Sequence, residues 1–198
     1  MKRLILVAAA IVLVSACGSP TPVAVSSPSP QPSASASSSP VASPSPSPSA
    51  AVSPTPTMPA GFAYSNFSGG SVSTSQVASV RVGQHDGYDR FVIEFAGGIP
   101  SYTVVRQASA IFTRSPKGDQ VTLDGSAGVV ITVQSITNWT GYTTPTSFKS
   151  AYPFMREALL IQNFEGVQQW GIGTAGKPAL RVFTMSAPNR LVVDVAVV

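Results

Sequence analysis

The chain has 198 residues, a formal net charge of +4 and a single cysteine, which excludes an intramolecular disulfide. Two of the positive charges, Lys2 and Arg3, precede an apolar run at the N-terminus, and the other ten Lys and Arg face eight Asp and Glu. No charged residue lies between Arg3 and Arg81, and the ten remaining basic residues nearly balance the eight acids. Nucleic-acid binding needs basic residues clustered on one face or stripe, so we predict no nucleic-acid partner.

Residues 1–16 have the layout of a secretory signal peptide. Lys2 and Arg3 are followed by an apolar stretch over residues 4–14, which is too short to cross a hydrocarbon core of about 30 Å as a helix. The tetrapeptide at residues 14–17, Val-Ser-Ala-Cys, resembles the bacterial lipobox, in which the cysteine is acylated and becomes the new N-terminus. We therefore predict a lipoprotein attached through Cys17 to the extracytoplasmic face of a bacterial membrane. The alternative is an ordinary signal peptide followed by an incidental cysteine.

Residues 17–60 comprise the predicted lipidated cysteine and a linker rich in Ser, Pro and Ala. Twelve of the 18 prolines lie between residues 19 and 59. Proline removes backbone donors and serine adds little apolar area, so the segment cannot offset its ordering entropy and is predicted to be disordered. An extended linker could reach on the order of 100 Å at about 3.1 Å per residue. We interpret it as a stalk, with a passive tether as the alternative.

Residues 61–198 have the pattern of one all-β domain. Apolar and polar residues alternate in short runs, and turn signals such as Asp86-Gly87 and Glu165-Gly166 separate them. This spacing favours a single β-sandwich of about eight to ten short strands, with a barrel as the other solution. One helix is predicted around Phe148–Ala158, within the longest irregular segment, Ser135–Glu157. The predicted strands cover residues 77–82, 90–95, 101–106, 111–113, 120–123, 129–133, 158–164, 167–172, 179–185 and 190–197.

Two of these strands have nearly the same pattern. Residues 90–95, Arg-Phe-Val-Ile-Glu-Phe, match residues 190–195, Arg-Leu-Val-Val-Asp-Val, in residue class at every position. In each strand the arginine and the acid fall on one face and three apolar residues on the other. These polar ridges are candidate parts of a ligand surface, which makes Arg90 and Arg190 candidate binding residues. The alternative is a set of ion pairs on a solvated face, each worth about 1 kcal/mol or less.

Three segments resemble the AMIN-like domain of bacterial envelope lipoproteins. They are residues 80–95 (VRVGQHDGYDRFVIEF), the Glu165-Gly166 turn with residues 170–173 (WGIG), and residues 188–195 (PNRLVVDV). The resemblance implies a β-sandwich that locates proteins in the envelope, in association with peptidoglycan or envelope partners. It implies no catalytic residues.

The residues offer little for catalysis or metal binding. His85 is the single histidine and lies in a predicted polar turn, and no Gly-x-Ser-x-Gly motif is present. One histidine and scattered acids give no zinc spacing, and Asp86, Asp89 and Asp124 lie in no calcium-binding loop. We predict no enzyme, no metal and no cofactor, although paired carboxylates for glycoside hydrolysis stay open as a distant possibility.

Aromatic residues are concentrated in the Ser135–Glu157 segment. Exposed aromatics stack on sugar rings or anchor protein partners, and Trp, Tyr and Arg dominate interface hot spots. The candidate ligand-binding residues here are Trp139, Tyr142, Tyr152 and Arg156; the alternative is that the aromatics close one end of the sandwich. Trp170 is predicted to be core. Two functions follow: a non-enzymatic module that binds peptidoglycan or another wall glycan, and a protein-interaction or assembly factor for an envelope complex.

Overall fold

The computed structural model describes residues 57–71 and 73–198, so the predictions for the signal peptide, Cys17 and most of the linker fall outside the described residues. The described residues form twelve strands and no α-helix, which confirms the all-β prediction, and none of them belongs to a helix that could cross a membrane. The strands are β1 (Phe67–Gly69), β2 (Val77–His85), β3 (Tyr88–Phe95), β4 (Tyr102–Gln107), β5 (Ile111–Thr113), β6 (Gln120–Thr122), β7 (Ala127–Val133), β8 (Ser147–Lys149), β9 (Met155–Phe164), β10 (Val167–Thr174), β11 (Pro178–Met185) and β12 (Asn189–Val197).

Two antiparallel sheets enclose the main core. One has six strands in the order β1-β4-β7-β10-β9-β8, and the other has four in the order β11-β12-β3-β2. Their inner faces share one apolar cluster, in which the Phe91 ring of the four-stranded sheet lies 5.2 Å from that of Trp170 in the six-stranded sheet. The predicted β-sandwich is thus present, and Trp170, which is completely buried, belongs to its core as expected.

Alternation and tight turns explain why these residues form strands. In β3 the side chains of Phe91, Ile93 and Phe95 are buried while those between them are partly exposed, as a half-buried strand requires. The β9–β10 hairpin turns at Glu165 and Gly166, whose φ angles of 49° and 77° are both in the left-handed region. A two-residue hairpin turn of type I′ needs that conformation at both positions.

The predicted helix over Phe148–Ala158 is wrong. Strand β8 takes up the start of this segment and β9 begins at Met155, with Phe148 paired to Ala158 across the two strands. Pro153 lies in the middle of the segment, where its missing N–H and its ring would interrupt a helix. The irregular Ser135–Glu157 segment is therefore partly sheet.

A short hairpin covers the outer face of the six-stranded sheet. Strands β5 and β6 form a two-stranded sheet whose Phe112 is 2% exposed and packs in a second apolar cluster with Leu123 and Ile161. Gly171 lies under the ring: a Cβ there would meet the Cγ atom of Phe112 at 3.0 Å. The glycine of β10 therefore serves close packing of this hairpin.

Candidate functional site

The outer face of the four-stranded sheet carries a cluster of arginines and aromatic rings. We call the surface formed by Tyr88, Arg90, Arg181, Phe183 and Asp194 the arginine face. Strand β12 lies between β3 and β11, so Asp194 stands opposite Arg90 on one side and opposite Arg181 on the other. The register alone therefore brings two guanidinium groups to one carboxylate.

Both arginines bind the carboxylate of Asp194, which is completely buried. Arg90 donates from Nε to Oδ1 at 2.6 Å and from Nη2 to Oδ2 at 3.0 Å, and Arg181 donates to Oδ2 from Nε at 2.9 Å and from Nη2 at 2.7 Å. The hydrogen bond to Asp194 raises the pKa of Arg90 above its ordinary value, against the opposing effect of burial. Two positive charges against one negative charge leave the cluster with a net positive charge.

Aromatic rings hold these guanidinium groups from the sides. The Arg90 guanidinium lies 5.4 Å from the Tyr88 ring centroid and 5.5 Å from that of Phe183. Arg181 lies 4.9 Å from the centroids of both Tyr88 and Phe62. These cation–π contacts and the bonds to Asp194 restrict the arginine rotamers, so the remaining N–H groups are directed before any ligand arrives.

The two matching strands are neighbours in this sheet. The predicted placement of arginine and acid on one face is confirmed, and because β3 and β12 run antiparallel, Arg90 meets Asp194 while Arg190 stands opposite Glu94. Only the first pair forms a salt bridge, since Glu94 binds Arg81 at 2.9 Å. Arg190 instead donates from Nε to the Pro188 carbonyl at 3.3 Å. The Arg81–Glu94 pair is thus a solvated ion pair of the kind expected as the alternative, whereas the pair of Arg90 with Asp194 involves a buried carboxylate.

Aromatic residues of the Ser135–Glu157 segment largely pack inward. Tyr142 and Tyr152 are half-buried against the main core, together with Phe148 and Phe154. Burial raises the pKa of Tyr142 above that of a solvated tyrosine. Trp139 stands apart from them, edge-on to the exposed ring of Phe164 at 5.7 Å.

Two side chains fix this segment to the four-stranded sheet. The buried Asp89 accepts backbone N–H groups from Phe154 at 2.7 Å and Met155 at 2.8 Å. Asn138 accepts the N–H of Val77 at 3.1 Å and donates to its carbonyl at 3.0 Å. The segment is therefore fastened at both of its ends.

Arg156 lies at a different place from the other candidates. It lines a recess of about 290 Å³ with Lys149 and Glu157. Glu157 is 8% exposed, accepts the Asp124 N–H at 3.0 Å and faces the Lys149 ammonium at 3.7 Å. The fold thus places Arg90 and Arg190 on one sheet face and Tyr142 and Tyr152 against the main core, while Trp139 packs on Phe164 and Arg156 lines this recess.

His85 lies beside the arginine face, in contact with Tyr88. Its ring is exposed and stacks on Tyr88 at 4.8 Å, with 8° between the ring planes. Over residues 57–71 and 73–198, no three His, Cys, Asp or Glu side chains come close enough together to hold a metal ion. The arginine face offers directed N–H donors and the faces of aromatic rings, which together can bind a polar ligand that has flat apolar faces.

The sequence did not single out Arg181, Phe183 or Tyr88. Arg181 and Phe183 alternate with Leu180 and Val182, which pack on the core, so the parity of β11 alone indicated that both face outward. Which strand β11 would lie beside was not visible in that pattern.

Comparison with known proteins gives one positive result. A family model described as the AMIN-like domain matches residues 75–197, a range that includes β2 to β12. No curated protein matches the chain in sequence.

Proposed function

The chain belongs to the AMIN-like domain family, and from this premise we propose that it is a lipid-anchored envelope protein whose domain binds peptidoglycan or another wall glycan without catalysis. AMIN-like domains are envelope-associated modules that generally bind rather than catalyse. The proposed lipid on Cys17 would hold the protein at the membrane, and the proposed linker would let the domain reach the wall.

The arginine face is the proposed glycan-binding surface. The observation that carries this proposal is the row of rings and guanidinium groups, in which Arg90 lies between Tyr88 and Phe183. Sugar rings stack on aromatic faces, and fixed guanidinium groups donate to sugar hydroxyls and to carboxylates. Because the arginines are already ordered, a glycan would not have to meet the cost of ordering them.

The Trp139 corner is the second proposed contact for a glycan. Trp139 and the exposed Phe164 form a paired aromatic surface. Tyr142 and Tyr152 would hold the segment that carries Trp139 against the main core, and Arg190 would add charge on the sheet face that carries Arg90. The two surfaces can be tested separately, because Phe183 belongs to the arginine face and Phe164 to the Trp139 corner, and each can be replaced by alanine.

Co-sedimentation with purified cell walls tests the proposal, using the chain with Cys17→Ala so that no lipid can form. We expect retention on the wall, an approximately fivefold loss in Phe183→Ala as for a hot-spot contact, and little loss in the matched variant Phe164→Ala. Loss in Phe164→Ala alone would move the site to the Trp139 corner. Retention no greater than that of a charge-matched control protein would reject glycan binding.

The lipid anchor has its own test. In cells, the unaltered protein should fractionate with the membrane and Cys17→Ala should appear in a soluble fraction or the medium. If Cys17→Ala stayed in the membrane fraction, the proposed anchor would be wrong.

A role in assembling an envelope complex is the second candidate. Strand β2 is an edge strand of nine residues, and Asn138 hydrogen-bonds to the backbone of its first residue, Val77, on the side away from β3. Exposed edges can accept an added strand from a partner. Crosslinking in cells that recovers one consistent protein through β2 would support this candidate, and recovery of glycan and lipid alone would count against it.

A further inference from the structure

A recess near one end of the six-stranded sheet is lined by two cationic side chains and lies outside both surfaces described above. It has a volume of about 380 Å³ and forms where β4 ends beside the start of β7, with the β10–β11 turn as its third side. Its lining residues are Arg106, Gln107, Ala108, Ser126, Ala127 and Lys177.

Arg106 is held in place by neutral acceptors. Its Nε donates to the Pro178 carbonyl at 2.7 Å and its Nη1 to the Tyr64 carbonyl at 2.8 Å. Carbonyl oxygens orient a guanidinium group without cancelling its charge. The Nη2 donors have no partner among the described residues, so a fixed and charged group is left with free N–H donors.

Lys177 brings a second positive charge to the same place. The Tyr64 ring contacts both cations, with its centroid 5.0 Å from the Arg106 guanidinium and 4.8 Å from the Lys177 ammonium. Neither cation forms a salt bridge within the described part of the chain. The Tyr64 hydroxyl donates to an oxygen of Val198 at 3.5 Å, so this residue lies at the edge of the same ring. Two like charges around one ring repel each other, and an anion that enters between them relieves this repulsion.

We propose that this recess binds an oxyanion, a carboxylate or phosphate group carried by a larger ligand, between Arg106 and Lys177. A guanidinium fork and an ammonium group are the side chains that bind such groups best. The arginine face differs because the carboxylate of Asp194 neutralises part of the guanidinium charge there. In a cell wall, the same chemistry occurs as carboxylates of the wall peptide and as phosphates of polyol-phosphate polymers.

NMR titration of the full chain carrying Cys17→Ala tests this site with inorganic phosphate and acetate as probes. We expect saturable shifts of the Arg106 Nε–H signal and of the backbone amides of Gln107 and Lys177. Lys177→Gln should weaken phosphate binding about two- to fivefold, as expected for an exposed charge pair. Because Lys177 is exposed and makes no hydrogen bond in the described structure, this variant should fold normally, which its amide spectrum would verify.

Lys117→Gln is the matched control, since it removes the same charge from an exposed lysine in the β5–β6 connection. It should leave phosphate affinity unchanged. An equal loss in both variants, or no saturable shift at Arg106 with either anion, would overturn the site.

Two polymeric probes then identify the source of the oxyanion. Tighter binding of a poly(glycerol phosphate) than of inorganic phosphate supports a phosphate polymer, and tighter binding of a muropeptide than of acetate supports a peptide carboxylate. In Lys177→Gln, the affinity for the preferred polymer should fall at least as much as that for inorganic phosphate, so that the preference shrinks. A preference that persists undiminished in that variant would place the binding elsewhere and count against the recess. Wall retention through the arginine face can fail while these titrations succeed, so the two proposals are separable.

Discussion

The outer faces of the two sheets differ: one is covered by an apolar hairpin, and the other exposes charged and aromatic side chains. The six-stranded sheet is covered by the β5–β6 hairpin, whose Phe112 packs against Gly171 in an apolar cluster. The four-stranded sheet carries Arg90 and Arg181 over the buried Asp194, with rings between them. In the first arrangement, the packing of apolar side chains stabilises the fold. The second holds polar donors in fixed directions at the surface, which is what a binding face requires.

Truncation of the covering hairpin should have the largest effect on stability. Phe112→Ala removes a ring that is 2% exposed, and we expect the free energy of unfolding to fall by about 3–5 kcal/mol. Urea denaturation followed by tryptophan fluorescence measures this, because Trp170 lies in the main core. Wall retention of the folded fraction should not change. A loss below 1 kcal/mol would mean that the hairpin is not part of the stable fold.

Removing the shared carboxylate should be the next largest change. Asp194→Asn leaves two guanidinium groups facing each other, and we expect a loss of about 3 kcal/mol, at the lower end for broken buried pairs because both arginines are partly exposed. The control Glu94→Gln breaks a pair whose Arg81 side chain is 52% exposed, and it should cost less than about 1 kcal/mol. Equal losses in the two variants would contradict the distinction between a buried and a solvated ion pair.

The close packing of the hairpin can be tested with a single methyl group. A Cβ at Gly171 would lie 3.0 Å from the Phe112 ring, so Gly171→Ala should destabilise the protein by about 1–3 kcal/mol through overpacking. At Gly141 nothing lies within 4 Å of the same Cβ, and Gly141→Ala should leave the thermal midpoint nearly unchanged. A neutral Gly171→Ala variant would show that the hairpin can move away at little cost.

Phe183→Ala, on the arginine face, should have the smallest stability effect of these four changes. Phe183 is half-buried and contacts Arg90 at 5.5 Å, so Phe183→Ala should cost about 1 kcal/mol of unfolding free energy. Its effect on wall retention should nevertheless exceed that of Phe112→Ala. The reverse order of the two variants in the binding assay would remove the functional contrast between the faces.

Local patterns predicted most of the fold. The alternation in β3, the Glu165-Gly166 turn and the core position of Trp170 follow from period-two burial and from backbone preferences, which are properties of neighbouring residues. The predicted helix over Phe148–Ala158 is wrong because Pro153 lacks the N–H that a helix needs and its ring obstructs the preceding turn. Strand β1 was not predicted, since its sequence Phe-Ser-Gly has a single apolar residue and shows no alternation.

The candidate sites were harder to predict because they depend on pairing between distant strands. The repeated Arg and acid pattern placed Arg90 and Arg190 on a polar face, but which strands are neighbours decides that Arg90 meets Asp194 while Glu94 turns to Arg81. The contact of Arg106 with Tyr64 joins residues 42 positions apart, and no local pattern encodes it. Charge pairing of this kind becomes visible only when the sheet order is known.

The most direct test of the central claim is an NMR map of the Cys17→Ala chain titrated with soluble wall-glycan fragments. Glycan binding through the arginine face predicts saturable amide shifts at Tyr88, Arg90, Arg181 and Phe183, with the β5–β6 hairpin unchanged. Shifts confined to the hairpin would contradict it. So would the absence of shifts at glycan concentrations well above those at which whole walls retain the protein.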